Sequence, residues 1–233
     1  MKKKAVVLLS GGLDSATTLY FAKSKGYQCY CLIFDYDQRH RRELESARRI
    51  ARGIKSSYKI IKISLPWKGG ALLDKDMNIP EPANRLTGKP ANRLTGKPVN
   101  HIPSTYVPSR NIIFLSFALS YAESISASAI FIGANAVDYS GYPDCRPEFY
   151  RAFNKVISCG TKAGVEHKKI KIEIPLINKT KAQIIRLGSR LGVPFKLTWS
   201  CYQGAKMPCG KCDSCYYRAK GFKEARLMDA FGL

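Results

Sequence analysis

The sequence predicts an α/β fold with a doubly wound parallel sheet, followed by a small C-terminal segment that holds a metal ion through four cysteines. Short apolar runs alternate with segments whose apolar residues recur at helical spacing. A loop rich in serine and glycine directly follows the first apolar run, and four of the eight cysteines lie between Cys201 and Cys215. We therefore expect one core domain at residues 1–196, and a cysteine-rich segment with a C-terminal helix at 197–233.

The predicted strands are short apolar runs, at 5–9, 30–34, 58–63, 129–133 and 170–174. The predicted helices lie at 15–25, 41–54 and 112–124, and the last runs from Thr180 to about Gly192. Helix 112–124 is strongly apolar and is expected to be mostly buried. The residues from Thr180 to Gln183 match a capping box, in which the threonine begins the helix. Strands that alternate with helices favour a parallel sheet, which binds ligands beyond the carboxyl ends of its strands.

The chain is strongly basic, with a formal net charge of +22 and a pI near 9.8. Two interpretations are open: a positive field that attracts polyanions such as RNA, or a solvated surface with dispersed charges. No run of about 18 apolar residues occurs, and the apolar stretch at 5–9 is too short for a signal peptide. The sequence therefore predicts a cytoplasmic protein without a membrane segment, whose cysteines serve metal binding or packing rather than disulfides.

An eight-residue repeat interrupts the alternating pattern. Residues 83–90 (ANRLTGKP) recur unchanged at 91–98, within a stretch rich in proline and glycine. Two copies are too few for a repeat architecture. We interpret them as a local duplication in a surface loop that tolerates insertions.

The loop at 10–15 has the composition of a phosphate-binding site. Its two glycines allow the backbone to approach an anion, and the N–H groups of the helix that follows point at that anion. The hydroxyls of Ser10, Ser15, Thr17 and Thr18 are candidate donors. A simple Gly-Gly turn with an aspartate cap is the alternative interpretation. The candidate phosphate-binding residues are Leu8, Leu9, Ser10, Gly11, Gly12, Leu13, Asp14, Ser15, Ala16, Thr17 and Thr18.

The string Ser-Gly-Gly-Leu-Asp-Ser after the first strand resembles the signature of the pyrophosphatase-loop (PP-loop) enzymes, whose fold is adenine nucleotide alpha-hydrolase-like. The resemblance implies that ATP is cleaved between its α and β phosphates, that residues 10–15 bind the pyrophosphate and that Asp14 helps to hold Mg²⁺. The residues at 175–176 and 181–184 resemble the second motif of this class, which implies that Lys181 contacts phosphate. Gln183 stands where glutamate is usual.

Cys201, Cys209, Cys212 and Cys215 have the spacing C-x7-C-x2-C-x2-C. Two overlapping C-x2-C steps aim three thiolates inward from a tight turn, and the fourth thiolate returns from upstream. Four thiolates suit tetrahedral zinc, and an ion with all four positions filled is structural. An iron–sulfur cluster is the alternative, although the run lacks the C-x3-C-P ending of bacterial ferredoxins. The prediction is one structural zinc ion per chain.

Three further stretches resemble the 7-cyano-7-deazaguanine synthase family in particular, at 34–40, 103–111 and 138–146. The implied reaction converts 7-carboxy-7-deazaguanine and ammonia to the 7-cyano compound through adenylated intermediates and an amide. The product feeds queuosine or archaeosine biosynthesis. The resemblance also implies a homodimer that acts on this small molecule, and direct tRNA binding is not expected. Glycine is usual in the family where this chain has Asp37 and Ser109.

The resemblance also suggests substrate contacts. Asp144 would pair with the N–H edge of the guanine-like ring, and Arg146 or Arg110 would bind the substrate carboxylate through a bidentate contact. The alternatives are a turn residue for Asp144 and a surface salt bridge for Arg146. Arg39 and His40 would lie near the phosphates or be structural. The candidate catalytic residues are thus Asp14, Lys181, Asp144 and Arg146.

Two other functions are open. A PP-loop enzyme that modifies tRNA, by thiolation or as a lysidine synthetase, would suit the basic charge, but the sequence shows no appended RNA-binding domain. A nucleotide-binding regulator with a zinc site fits less well, because Asp14 and Lys181 are both present.

Overall fold

A computed structural model describes residues 2–66, 70–74, 76–79, 102–135 and 142–233. Within these ranges the chain forms one sheet of five parallel strands in the order β3-β2-β1-β4-β5. The strands are β1 (Lys4–Leu8), β2 (Gln28–Asp35), β3 (Ser57–Lys62), β4 (Ala129–Phe131) and β5 (Lys171–Glu173). Each of the five predicted strands is confirmed. The strand order reverses between β1 and β4, so the switch point at which such sheets bind ligands lies between these two strands.

The described helices connect and cover these strands. They are α1 (Leu13–Ser24), α2 (Arg42–Gly53), α3 (Arg110–Ser124), α4 (Pro147–Gly160), α5 (Lys162–Val165), α6 (Lys181–Arg190) and α7 (Asp213–Ala225). The capping box at the start of α6 is confirmed. The Gln183 backbone N–H donates to the Thr180 hydroxyl at 3.2 Å, and the Thr180 N–H donates to the Gln183 side chain at 2.9 Å. Glutamine and glutamate serve this cap equally, so the departure from glutamate leaves the start of the helix intact.

Successive residues of β1 face opposite sides of the sheet, and each side carries its own hydrophobic core. Val6 and Leu8 pack with α3 and α4 on one face, whereas Ala5 and Val7 pack with α1 and α2 on the other. Both faces are therefore covered by helices. This arrangement confirms the predicted doubly wound architecture.

Helix α3 differs from its prediction as a mostly buried element. Leu115, Ala118 and Ala122 are fully buried against the sheet, but Ile112 and Phe117 are 43% and 42% exposed. A helix in an outer layer buries only the stripe that faces the sheet, whatever the composition of its opposite side. The exposed side of α3 carries these two apolar side chains together with Ser116, Ser120 and Ser124.

The C-terminal segment packs against the core through α7. Phe222 of α7 shares a buried cluster with Leu13 of α1 and with Ile184 and Ile185 of α6. The division of the chain at residue 196 stays a prediction. The 83–98 repeat and residues 138–141 of one family motif lie outside the described residues. None of the helices in the described part of the chain has the length and apolar character needed to span a bilayer.

Candidate active site and metal centre

A cavity of about 360 Å³ opens at the carboxyl ends of β1, β2 and β4. Its floor is formed by the last residues of these strands and by the loop at 10–15. The cavity therefore occupies the switch point of the sheet, where the fold predicts a ligand site. The polar and charged side chains on its wall include Ser10, Asp14, Ser15, Gln38, Arg39, His40, Glu43, Arg110, Asn111, Asn135, Lys181 and Arg218.

Two glycines allow the loop at 10–15 to pack tightly between its neighbours. Gly11 has φ +87°, and a Cβ there would collide with the backbone of Glu43 and Ala47 in α2. A Cβ on Gly133, directly after β4, would lie 2.9 Å from the backbone of Asp14. The loop is thus held between α2 and the end of β4, which fixes the N-terminal turn of α1 at the cavity.

The serine hydroxyls of the loop form a short chain of hydrogen bonds at the cavity wall. Ser10 Oγ donates to Ser15 Oγ at 3.0 Å, and Ser15 Oγ donates to the Gly12 carbonyl at 3.0 Å. The Gly12 N–H points back to Ser10 Oγ at 3.4 Å. The residues on the cavity wall among the predicted phosphate-binding set are Leu8, Leu9, Ser10, Gly12, Leu13, Asp14 and Ser15.

Thr17 and Thr18 differ from the expectation that their hydroxyls face an anion. Each hydroxyl donates to the carbonyl four residues earlier in α1, at 2.9 Å, and both residues are fully buried. A hydroxyl has one proton, so neither is available to a ligand in this arrangement. Gly11 and Ala16 also lie behind the wall rather than on it.

Lys181 and Asp14 meet at the phosphate-loop end of the cavity. Lys181 Nζ donates to both carboxylate oxygens of Asp14, at 2.8 and 2.7 Å. Both side chains are about three-quarters buried or more, with 19% and 26% exposure. The structure therefore brings together the two charged residues that the PP-loop resemblance selected from distant parts of the sequence.

Arg110 marks the other end of the cavity. Its guanidinium Nη1 donates to the Tyr36 hydroxyl at 3.5 Å. Burial opposes the positive charge, but Tyr36, Asp144 and Tyr142 outweigh it and raise the pKa of Arg110. The side chains of Phe34, Tyr36 and Phe114 form an aromatic wall beside it. This end of the cavity offers a partly buried cation next to flat aromatic surfaces.

Asp144 and Arg146 are not among the residues on the wall of this cavity. Their role as substrate contacts stays a prediction. The Asp144 carboxylate accepts from the Asn111 backbone N–H at 3.3 Å, at the start of α3, and faces Arg110. Burial raises the pKa of Asp144, against the opposing effect of Arg110. Arg146 is exposed, because it precedes Pro147, where α4 begins and leads away from the cavity. Of the two arginines considered for the substrate carboxylate, Arg110 is the one on the wall.

Arg39 and His40 both reach the cavity. Arg39 Nη1 also donates to the carbonyls of Ala71 and Met77, at 3.3 and 2.8 Å, and so ties these two residues to the edge of the site. His40 Nδ1 is buried without a hydrogen-bond partner among the described residues, and burial lowers the pKa of His40. Arg39 therefore has a structural contact in addition to its place at the cavity.

Glu43 is a functional candidate that the sequence analysis missed. It lies in the first turn of α2 and lines the cavity. Burial raises the pKa of its carboxyl group to about 7, although Arg110 opposes the shift. The available signal was an acidic residue in the first helical turn after the carboxyl end of β2, but such residues are common at helix N-termini.

The four predicted metal ligands converge in the C-terminal segment. One sulfur from each of Cys201, Cys209, Cys212 and Cys215 lies within 4.8 Å of all the others, and all four cysteines are free thiols. Adjacent sulfurs are 3.5 and 3.9 Å apart, close to the separation of about 3.8 Å that four thiolates around zinc at about 2.3 Å require.

Backbone N–H groups also point at these sulfurs. Gln203 and Cys209 donate to Cys201 Sγ at 3.4 and 3.3 Å, and Cys212 donates to Cys209 Sγ at 3.4 Å. Hydrogen bonds from the neighbouring thiols and from these backbone groups lower the pKa of Cys201. The donor set and its surroundings therefore fit a tetrahedral thiolate site.

The cysteine segment also contributes to the cavity. The Trp199 backbone N–H donates to the Gly11 carbonyl at 3.0 Å, which ties this segment to the phosphate loop. Arg218 of α7 is buried, forms a bidentate ion pair with Asp229 and donates to Thr198. Residues next to the metal ligands complete the wall, namely Ser200, Tyr202, Ser214 and Tyr217.

Comparison with known proteins identifies the family. The family model described as "Queuosine biosynthesis protein QueC" matches residues 4–226. The chain belongs to this family. A QueC relative from Acetivibrio thermocellus, named 7-cyano-7-deazaguanine synthase, is 53% identical over 97% of this chain and 96% of its own length. Relatives of the same name from Saccharophagus degradans and Picrophilus torridus are each 51% identical, over 97% of this chain and 96% and 90% of their own lengths.

Among solved structures, the chain is similar to NMN synthetase from Francisella tularensis. The TM-score is 0.49 and the sequence identity 18%, over 99% of this chain and 80% of that one. This level of similarity carries no functional inference. The assignment to the QueC family rests on the sequence relatives.

The positions where this chain departs from the glycines expected in the family have a shared backbone conformation. Asp37 has φ 57° and Ser109 has φ 55°. Both values fall in the left-handed region, which glycine adopts without the steric cost that a Cβ brings. Aspartate tolerates this region better than serine, since its side chain hydrogen-bonds to nearby backbone groups.

Proposed function

We propose that the protein converts 7-carboxy-7-deazaguanine and ammonia to 7-cyano-7-deazaguanine at the expense of ATP. Membership of the QueC family over nearly the whole chain supports the proposal. The single structural observation that carries it is a cavity with two chemically different ends. One end has the phosphate loop with Asp14 and Lys181, and the other has Arg110 beside the aromatic wall.

ATP solves a leaving-group problem in this reaction. A carboxylate oxygen is a poor leaving group, but as an acyl adenylate it departs with AMP. Ammonia then gives the amide, and a second activation of the amide oxygen allows it to leave as the nitrile forms. Two oxygens are lost from one carbon, so two ATP molecules are consumed per product at one site.

The residues at the phosphate-loop end bind the nucleotide. The N–H groups at the start of α1, with Ser10 and Ser15, hold the pyrophosphate portion of ATP. Lys181 contacts a phosphate, and Asp14 would hold Mg²⁺, which neutralises phosphate charge when bound. Because these two side chains pair with each other, both charges stand in position before the nucleotide arrives.

The residues at the other end bind the second substrate. Arg110 takes the carboxylate through its guanidinium group, and the deazaguanine ring lies against Phe34, Tyr36 and Phe114. Asp144 positions Arg110 and the start of α3 from behind rather than contacting the ring. The cavity then holds the carboxylate carbon within reach of the bound ATP, and this positioning is the main contribution of the protein.

The four cysteines would hold one structural zinc ion. The donors are Cys201, Cys209, Cys212 and Cys215, and an ion with four thiolates has no open position for catalysis. Its effect on the reaction is indirect, through the wall that this segment contributes.

The test is to incubate the purified protein with 7-carboxy-7-deazaguanine, ATP and ammonium, and to identify the products by mass spectrometry. The nitrile, AMP and pyrophosphate are expected, with two AMP per nitrile. Omission of ammonium should abolish the nitrile. Pyrophosphate release that requires tRNA instead of 7-carboxy-7-deazaguanine would contradict the proposal and favour a tRNA-modifying enzyme.

The protein is further proposed to act in the cytoplasm as a homodimer. Two exposed apolar side chains on α3, Ile112 and Phe117, support an interface with a second copy. Light scattering of the wild type and of Phe117→Glu tests this, since a charge at position 117 should shift a dimer to the monomer. The net charge of +22 is the one feature that favours tRNA binding. Tight tRNA binding that weakens steeply with salt would support that alternative.

A further inference from the structure

Glu43 lies directly beside the phosphate loop. It belongs to the first turn of α2, and its backbone carbonyl packs against Gly11 so closely that the glycine admits no side chain. The residue is partly buried, and its open side faces the cavity. The first turn of α2 therefore places Glu43 at the cavity beside the phosphate loop, where its carboxyl group interacts electrostatically with Arg110.

The carboxyl group of Glu43 stands without a partner among the side chains that the structure describes. No described side chain forms a hydrogen bond or an ion pair with it, although Arg110 of α3, Tyr36 at the end of β2 and Cys201 of the cysteine segment interact with it electrostatically. Its own helix adds Arg42 and the exposed Glu45. The other charged or titratable groups on the cavity wall are Asp14, Arg39, His40, Tyr142, Cys145, Lys181, Tyr202, Tyr217 and Arg218.

A partly buried carboxyl group that has no partner among the described side chains suits a small cation that binds reversibly. An ordinary structural carboxylate in this position would be expected to pair with a nearby arginine or lysine. The proposed reaction uses such a cation, because ammonia at neutral pH is mostly ammonium, and ammonium has no lone pair for attack on a carbonyl carbon. Burial also raises the pKa of Glu43 to about 7, which suits an acid–base group that works near neutral pH.

We propose that Glu43 binds ammonium and removes one of its protons, so that ammonia is released beside the acyl adenylate. The inference rests on the proposed function. It assigns the nitrogen site, which neither the phosphate loop nor Arg110 supplies.

In the proposed step, the Glu43 carboxylate takes one proton from ammonium and becomes the carboxylic acid, and neutral ammonia remains. The nitrogen lone pair forms a C–N bond to the carbonyl carbon of the adenylate. The C–O bond to AMP breaks, and AMP leaves with that electron pair. The nitrogen loses one more proton to water to give the amide, and Glu43 returns its own proton to water before the next turnover.

Glu43→Gln tests the proposal, because glutamine keeps the size of the side chain but cannot accept the proton. Its matched control is Glu45→Gln, two positions along the same helix on the exposed side. Two activities are compared: exchange of pyrophosphate into ATP in the presence of 7-carboxy-7-deazaguanine without ammonium, and amide formation with ammonium. Glu43→Gln should retain exchange within about threefold and lose about 100-fold in amide formation at pH 7. Glu45→Gln should retain both.

The pH dependence separates a proton acceptor from a merely structural residue. The wild-type kcat/KM for total ammonium should fall as pH drops through about 7, where Glu43 becomes protonated. The variant depends on free ammonia in solution, whose fraction keeps rising with pH. The ratio of wild-type to variant activity should therefore be constant below pH 7 and fall about tenfold per pH unit above it.

Equal loss of exchange and amide formation in Glu43→Gln would overturn the inference. So would a ratio of wild-type to variant activity that does not change with pH. A raised KM of the variant for 7-carboxy-7-deazaguanine would indicate that Glu43 contacts the ring instead. If Glu43→Gln fails to fold, Glu43→Asp should fold and form the amide more slowly. Its activity should still fall as the pH drops through about 7, as in the wild type. Loss of this pH dependence in Glu43→Asp would also overturn the inference. Absence of exchange in the wild type would mark failure of the proposed function itself.

Discussion

Lys181 holds both carboxylate oxygens of Asp14, at 2.8 and 2.7 Å, although 167 positions separate the two residues in the chain. The contact joins the start of α6 to the first turn of α1, across the switch point of the sheet. An ion pair that is only partly buried contributes little stability. Its value lies in placing one positive and one negative group at the mouth of the phosphate loop.

Asp14→Asn should lower turnover by about 10²–10³-fold, because it removes the negative charge proposed to hold Mg²⁺. Its free energy of unfolding should change by less than about 1 kcal/mol, since the ion pair is partly solvated. Pyrophosphate release and chemical denaturation measure the two effects. Glu45→Gln, at an exposed position, is the control and should be silent. Near-normal turnover of Asp14→Asn would remove Asp14 from the mechanism.

Arg110→Gln and Arg146→Gln should differ in their effect on the second substrate. Arg110 lines the cavity, so its loss should raise the KM for 7-carboxy-7-deazaguanine by about tenfold or more, as expected when one charged contact is removed. The KM for ATP should change much less. Arg146 is exposed and off the wall, and its variant should match the wild type. The opposite pattern in steady-state kinetics would assign the carboxylate contact to Arg146 instead.

Ser109→Gly should stabilise the protein by about 0.5–1 kcal/mol, because it removes the steric cost of a Cβ at φ 55°. Asp37→Gly should stabilise it less, since aspartate is better suited to this conformation. Ser116→Gly, in the exposed middle of α3, is the matched control and should destabilise by up to about 1 kcal/mol. Thermal and urea unfolding measure all three. A loss of stability in Ser109→Gly would mean that its side chain has an unseen role.

The purified protein should contain one zinc per chain and be colourless, because zinc with four thiolates has no visible absorption. Cys212→Ser should lose the metal together with soluble, folded protein, since an interior ligand disappears. Cys159→Ser removes an exposed cysteine outside the cluster and should keep both. A brown protein with iron and sulfide would overturn the zinc assignment. A folded and fully active Cys212→Ser protein without metal would show that the site is dispensable.

The sheet could be predicted from the sequence because parallel strands are buried on both faces and read as short apolar runs. Helix α4 was not predicted. Its buried residues Tyr150, Phe153 and Ile157 have helical spacing, but charged residues and Asn154 lie between them. The packing of an outer-layer helix against the sheet decides how much of the helix is buried. That packing depends on residues far away in the sequence, so a short stretch of sequence does not reveal it.

The site also combines residues that local sequence reveals with residues that only the packing of distant elements reveals. Asp14 and the four cysteines belong to compact motifs, so their neighbours in the sequence are their neighbours in space. Arg110 and Glu43 owe their properties to burial by distant elements, which no short motif encodes. Thr17 lies next to the phosphate-loop motif, yet its hydroxyl does not face the cavity. A hydroxyl that can donate to a phosphate can also donate to the carbonyl one helical turn earlier, as the Thr17 hydroxyl does.

The contact between Lys181 and Asp14 has a consequence for how the protein is made. Ribosomes synthesise a chain from its N-terminus, so the phosphate loop leaves the exit tunnel long before α6 has been translated. A nascent chain therefore carries the loop without its lysine, and without the cysteine segment that completes the cavity wall. Nucleotide binding at full strength must wait until the last part of the chain has emerged and docked, so unfinished chains are expected to bind ATP more weakly than the complete fold.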